Sequence, residues 1–211
     1  ILSIIIPVYN EEKTVIEVLE KIKKNTSNLF KYEIIVIDDG STDQSKNLLE
    51  KNNHLYDKLI LNEINKGKGF SIKKGLSNAS GTHIIFQDAD LEYDPIEYKK
   101  FENIFSKFDA DGIIGSRFVY SDYTRSYNIL NKFGNKILTL IFNLLYNCTF
   151  TDVYSCYFAY KKDLLNVNDL KTEGFEQHAE ILCKVIKRGK KFYEVPINYN
   201  GRSYQEGKKI R

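Results

Sequence analysis

Two aspartates stand two residues apart in Asp88-Ala89-Asp90, directly after an apolar run, and Glu92 lies two positions further on. Carboxylates at that spacing can meet one hard divalent cation through oxygen, and Mg²⁺ or Mn²⁺ suits such ligands, with phosphate oxygens and water completing the shell. The plain alternative is a solvated acidic turn, because an Asp-x-Asp pair alone is a weak signal. A second acidic pair, Asp38-Asp39, also closes an apolar run. A carboxylate there can accept hydrogen bonds from a ribose or a base edge, while the following Gly40-Ser41-Thr42-Asp43 reads as a turn and helix cap. Gly67-Lys68-Gly69 opens a helical stretch. A helix start carrying a lysine favours phosphate, although the spacing matches neither a P-loop nor Gly-x-Gly-x-x-Gly.

Other residues carry weaker signals. Arg117, Arg125 and Arg202 sit in loop-like contexts; arginine binds phosphate bidentately, and most arginines are simply solvated. Glu176 and Glu180 share one helix face and are candidates for sugar or acceptor contacts. His178, between them, has no second histidine at metal spacing and reads as an ordinary helix histidine.

These groups need elements to position them. Buried strands are expected at residues 2–8, 32–38, 58–61, 82–87 and 110–116, with helices at 12–24, from Thr42 or Asp43 to about 52, at 67–79, and from Pro95 to about 107. Apolar residues at Val15, Val18, Leu19 and Ile22 have the spacing of one helix face. This βαβα order predicts an α/β fold: an open, mostly parallel sheet with helices on both faces and ligands beyond the carboxyl ends of the strands. A long amphipathic helix is expected over 126–146, a strand over 155–161, a helix over 175–188 and a last strand over 192–199. The apolar face of 126–146 reads as core on pattern alone; the alternative sets it against a lipid. No repeat or linker interrupts the chain, so one domain over 1–211 is expected, with a nucleotide-binding half to about 118 and an acceptor-side half from 119.

Composition excludes several classes. The 211 residues carry a formal net charge of +3, too little to argue for nucleic acid. The three cysteines form no Cys-x-x-Cys pair, which fits a reducing cytoplasmic setting better than disulfides or metal. The opening run Ile1 to Ile6 lacks a basic leader region and reads as a strand. No apolar stretch reaches the length of a membrane-spanning helix. The basic run containing Lys184, Lys187, Arg188, Lys190 and Lys191 is either a solvated helix end or a surface drawn to an anionic membrane.

The segments at 4–11, 38–43, 65–69 and 88–90 occur in the order found in family-two glycosyltransferases, and the chain resembles the dolichyl- and polyprenyl-phosphate sugar synthases and their bacterial relatives. Segments at 115–118, 151–152 with 155–157, 173–176, 194–197 and 201–210 agree with this. The resemblance implies a GT-A fold and an inverting, metal-dependent transfer from a nucleotide diphosphate-sugar. It implies that Pro7, Tyr9, Glu11 and Asp38 line the nucleotide pocket, with Lys68 facing it. Asp88 and Asp90 would hold metal and diphosphate, with Glu92 standing where related synthases often have glutamine. Arg117, Arg125 and Arg202 would approach the donor or acceptor phosphate. A lipid phosphate is already ionised near neutrality and needs no general base; a hydroxyl acceptor would need one, with Asp152, Glu176 or Glu180 as candidates. The expectation is a lipid-phosphate acceptor, met at a membrane surface. The alternatives are transfer to a glycan hydroxyl and a sugar-nucleotide-binding module without catalysis.

Overall fold

The computed structural model describes residues 1–25, 29–125 and 129–202. Seven strands form one sheet in the order β3-β2-β1-β4-β6-β5-β7. They are β1 (Leu2–Val8), β2 (Tyr32–Asp38), β3 (Lys58–Leu61), β4 (His83–Phe86), β5 (Gly112–Ser116), β6 (Phe158–Lys161) and β7 (Phe192–Pro196). All neighbours run parallel except β6, which is antiparallel to both β4 and β5.

Nearly every residue of β1 and β2 is buried. Successive strand residues face opposite sides, so both sides of the sheet are covered, as an unbroken Ile/Val run predicts. The described residues also form six α-helices: α1 (Val15–Lys24), α2 (Ser45–Lys51), α3 (Lys68–Asn78), α4 (Tyr98–Phe108), α5 (Ile129–Tyr146) and α6 (Gln177–Arg188). Helix α3 lies so close to the sheet that a Cβ at Gly75 would come within 2.6 Å of Ile5 and 2.8 Å of Ile37.

The first three strands have the expected bounds, and most other elements are shorter than the pattern suggests. α1 starts at Val15 because the Glu11 carbonyl receives the amides of Thr14 and Val15 in a preceding turn. α2 begins at Ser45, whose amide is held by the Asp43 carboxylate. Pro95 opens a short 3₁₀ turn closed by Asp94 before α4 proper. β6 and β7 lose the flanking residues that belong to loops lining the site. The first residues of the expected 126–146 helix lie outside the described residues.

α5 departs most from expectation. Its apolar side chains point outward: Ile129, Leu130, Phe133, Leu140, Leu144 and Leu145 are all exposed. Inward it buries Phe142, which packs on Phe150, beside two polar residues. Asn143 exchanges hydrogen bonds with the backbone of Phe150, and Thr139 accepts from the Val153 amide. Its broad apolar face is therefore not core.

The chain leaves β1 toward β2 on one side and reaches β4 on the other. The carboxyl ends of β1, β2, β4 and β5 thus face a shared edge at a topological switch point, where open α/β sheets bind ligands.

Candidate functional site

At that edge Gln87 is fully buried after β4. Its amide nitrogen donates to the carbonyls of Asp88 and Tyr93, and its oxygen accepts from the hydroxyls of Tyr98 and Tyr157 at 2.6 Å each. Thr14 adds a hydrogen bond to the Ala89 carbonyl, and the Glu92 amide donates to Asp90. Leu91 takes a left-handed φ of 61°, a conformation that costs a residue with a Cβ about 1–2 kcal/mol. The turn that presents the two aspartates is thus stapled from within and from α1. Sequence reasoning passed over Gln87, whose only signal was an amide ending an otherwise apolar strand.

Each aspartate meets a cation of the chain itself. Lys68, the first residue of α3, places Nζ 2.5 Å from Asp88 Oδ1. Burial opposes the charge on both, and their pairing wins: the Asp88 carboxyl is lowered and the Lys68 ammonium raised from their ordinary values. Arg202 reaches Asp90 at 3.1 Å and grips both oxygens of Glu11 at 3.0 and 3.1 Å. That is not enough for Asp90. Burial, then the charges of Asp88 and Glu92, push its carboxyl up to about 7 against the pull of Arg202. The acidic turn is short of positive charge.

Glu92 does not complete a three-carboxylate cage. One of its oxygens accepts from the Tyr199 hydroxyl at 2.7 Å and the other from the Arg202 amide at 2.7 Å, so it ties the strap 199–202 across the site. Among the described residues no group of three or more His, Cys, Asp or Glu side chains is arranged to hold a metal ion. Asp88 and Asp90 are the two carboxylates whose chemistry still fits one, since a divalent cation would supply the charge that Asp90 lacks.

The nucleotide-side expectations gather near the ends of β1 and β2. Asp38 is buried, with Oδ2 accepting from the Ser41 amide and Oδ1 left without a protein partner. Pro7 is the last but one residue of β1, in register with Ile37, and partly exposed Tyr9 follows the strand. Asp39 holds the loop before α3, accepting from the Lys66 and Gly67 amides and from Asn62. Gly40 is required there: its φ is +68°, and a Cβ would come 2.5 Å from the Ile64 backbone.

Asp152 departs from the role of a general base. It is completely buried, and Arg117 takes both its oxygens at 2.7 and 2.8 Å. The pair holds the loop beyond residue 150 against the end of β5 and leaves Asp152 with no access to a substrate proton. Glu176 and Glu180 also turn away. Glu176 accepts from the Gly174 amide, and Glu180 from the amides of Lys171 and Thr172 and the Thr172 hydroxyl. Both pin the loop before α6. Arg125 reaches the Gly201 carbonyl at 3.0 Å. The expected motif beyond Arg202 lies outside the described residues.

An open cleft of about 1390 Å³ reaches Lys68, Asp88, Glu92, Arg117 and Arg125 among these groups; Asp38, Asp90 and Arg202 are not among its lining residues. To its lining α5 contributes Ile129, Leu130 and Leu138 together with Lys132 and Lys136. His178, expected to be an ordinary helix residue, also lines it. The arrangement can hold a diphosphate between cations and acidic side chains, with room beside it for a sugar and an acceptor.

The family model described as Glycosyl transferase family 2 matches residues 3–168. The low-salt glycan biosynthesis hexosyltransferase Agl6 of Haloferax volcanii is 27% identical over 202 residues, covering 95% of this chain and 48% of that protein. A dolichol-phosphate mannosyltransferase of Pyrococcus furiosus is 30% identical over 212 residues, covering 98% of this chain and 58% of its own length. The chain thus spans about half the length of these curated relatives. Among solved structures, glucosyl-3-phosphoglycerate synthase of Mycobacterium tuberculosis, in complex with Mn²⁺, uridine diphosphate and glucosyl-3-phosphoglycerate, superposes with a TM-score of 0.73 at 18% identity, covering 97% of this chain and 74% of that one. That likeness identifies the fold as GT-A.

Proposed function

The chain belongs to glycosyl transferase family 2, and we propose that it moves a hexose from a nucleoside diphosphate-sugar to the phosphate of a polyprenyl or dolichyl lipid, with inversion at the anomeric carbon. One observation carries this reading. The cleft is lined by charged Lys68, Asp88 and Arg117 and also by one flank of α5, where Ile129, Leu130 and Leu138 alternate with Asn131, Lys132, Asn135 and Lys136, and the other leucines and isoleucines of that helix are exposed. An acceptor with an anionic head and a long apolar tail can use both the basic and the apolar side chains there. The name of the P. furiosus relative points to the same acceptor class.

In the reaction an oxygen of the acceptor phosphate forms a bond to the anomeric carbon while the bond from that carbon to the nucleoside diphosphate breaks. Negative charge then develops on the diphosphate. Lys68 and Arg202 are the cations of the chain positioned to receive it, and stabilising charge where it develops is the main lever on such a barrier. Asp88 and Asp90 would hold Mg²⁺ or Mn²⁺, which supplies further neutralisation of the leaving group when bound. Arg117 and Arg125 line the cleft and in this reading would orient the acceptor phosphate with guanidinium donors other than those that bond Asp152 and the Gly201 carbonyl. No general base is required, because a phosphate monoester is ionised near neutrality. The burial of Asp152 beneath Arg117 counts against a hydroxyl acceptor, which would need such a base. Attachment at the cytoplasmic membrane face belongs to the same reading; among the described residues no helix is long and apolar enough to span a membrane.

The test is transfer of labelled hexose from UDP- and GDP-sugars to polyprenyl phosphate, with Mn²⁺, Mg²⁺ or chelator. Transfer should require the cation, and Asp90→Asn should lower kcat by about 100-fold or more. Transfer to a glycan without lipid phosphate would replace the acceptor assignment, and nucleotide binding with no turnover on either acceptor would leave a binding module.

A further inference from the structure

His178 is a partly buried, cleft-lining imidazole that the proposed chemistry leaves unused. Its Nε2 lies 3.1 Å from the Val153 carbonyl. A carbonyl oxygen only accepts, so that nitrogen carries the proton. Burial first, and then the charge of Lys68, push the imidazole down to about 4, so it is neutral around pH 7. The second nitrogen, Nδ1, then holds a lone pair, and no protein donor meets it among the described hydrogen bonds.

The surroundings fix this ring. Val153 follows Asp152, which Arg117 clamps in place, so the carbonyl that selects the tautomer sits on a rigid loop. Tyr154 and Phe158 pack on the imidazole with ring centroids 6.0 and 6.3 Å away. Around it the cleft is lined by Lys68, Asp88, Cys156, Gly174 and Phe175. A neutral acceptor held next to a lysine–aspartate pair is poorly suited to a phosphate, which has no proton to give it. It is suited to a hydroxyl, and hydroxyls are what a hexose attached to that diphosphate presents.

We propose that His178 determines donor specificity: Nδ1 accepts a hydrogen bond from one hydroxyl of the transferred hexose, held there by the Arg117–Asp152 clamp through Val153. The inference rests on the nucleotide-sugar reading above and adds a residue that reads the sugar apart from the nucleotide. A site built to pair a substrate hydroxyl rejects analogues that lack it or misplace it, because the buried partner is then left unpaired.

Calorimetry separates the two contributions. UDP and GDP, and their glucose, galactose, mannose and N-acetylglucosamine conjugates, would be titrated into the wild-type chain, His178→Phe and His178→Gln, with thermal melts to check folding. The phenylalanine keeps an aromatic ring without an acceptor; the glutamine keeps both a donor for Val153 and an acceptor. His178→Phe should weaken the preferred conjugate by about tenfold, the scale of one lost hydrogen bond with its unpaired partner. It should leave the free diphosphate unchanged and flatten the preference among epimers, and His178→Gln should restore most of the loss. Equal weakening of diphosphate and conjugate, or no weakening of either, would overturn the specificity role. Failure of the wild-type chain to bind any of these nucleotides would remove the donor reading itself, and this inference with it.

Discussion

At the scale of single residues, the site is an exercise in where buried charge finds its partner. Arg117 and Asp152 illustrate the strong case: a bidentate pair with the acid fully buried and the guanidinium largely so. Removing one member of such a pair strands the other, which costs about 3–5 kcal/mol. Asp152→Ala should therefore lower the urea midpoint sharply, and the double change to Met at 117 and Leu at 152 should recover much of the loss by removing both charges. A base with no structural duty would behave differently: its loss would cut turnover and spare stability. The acidic turn, the lysine and the arginines were legible from residue type and from their position after apolar runs. Their pairings were not. Nothing local ties Glu92 to Tyr199, Asp39 to the amides of Lys66 and Gly67, or Arg202 to Glu11, because each contact joins segments that only the folded sheet brings together. His178 is the partly exposed helix histidine expected, but its partner Val153 was hidden for the same reason, since it comes from a different loop.

At the scale of elements, periodicity read best where burial is uniform. β1, β2 and β3 have the bounds their apolar runs suggest, while the elements that end in site loops are shorter, because there the backbone bonds to side chains instead of to a neighbouring strand. The loop before α6 is such a case. Glu180 accepts three hydrogen bonds from Lys171 and Thr172, and the neighbouring Glu173 carbonyl receives the Phe70 amide of α3. Burial alone would raise the Glu180 carboxyl, but the bonds from Thr172 and Lys171 outweigh it and bring it down to about 2 from 4.5. The sign follows directly: a depressed carboxyl contributes stability above pH 4.5, and that contribution fades as pH falls toward 2. Glu180→Gln should cost on the order of 1–2 kcal/mol at pH 7. Melts of both proteins should converge between pH 4.5 and pH 2, and a gap that persists at the acidic end would mean that the carboxylate charge is not what holds the loop.

At the scale of the whole molecule, α5 is inside out: its polar Thr139 and Asn143 bond inward while leucine and isoleucine face outward. The basic end of α6 adjoins it, with Lys187 Nζ 5.9 Å from the centre of the Tyr146 ring. An apolar helix beside a row of lysines is the combination that lies in the interface of an anionic bilayer, with the apolar face buried among acyl chains and roughly 1 kcal/mol gained for each basic residue near the surface. Co-sedimentation with phosphatidylcholine vesicles, with and without phosphatidylglycerol, tests it. Binding should be stronger to the anionic vesicles and should weaken with salt. Leu144 and Leu145 are exposed and are not among the residues lining the cleft, so Leu144→Glu combined with Leu145→Glu should leave the melting temperature nearly unchanged. Burying a leucine is worth about 1.5–3 kcal/mol, so losing both should reduce vesicle binding by well over tenfold. Retained binding in that variant would exclude α5 as the docking element, whatever acceptor the cleft takes.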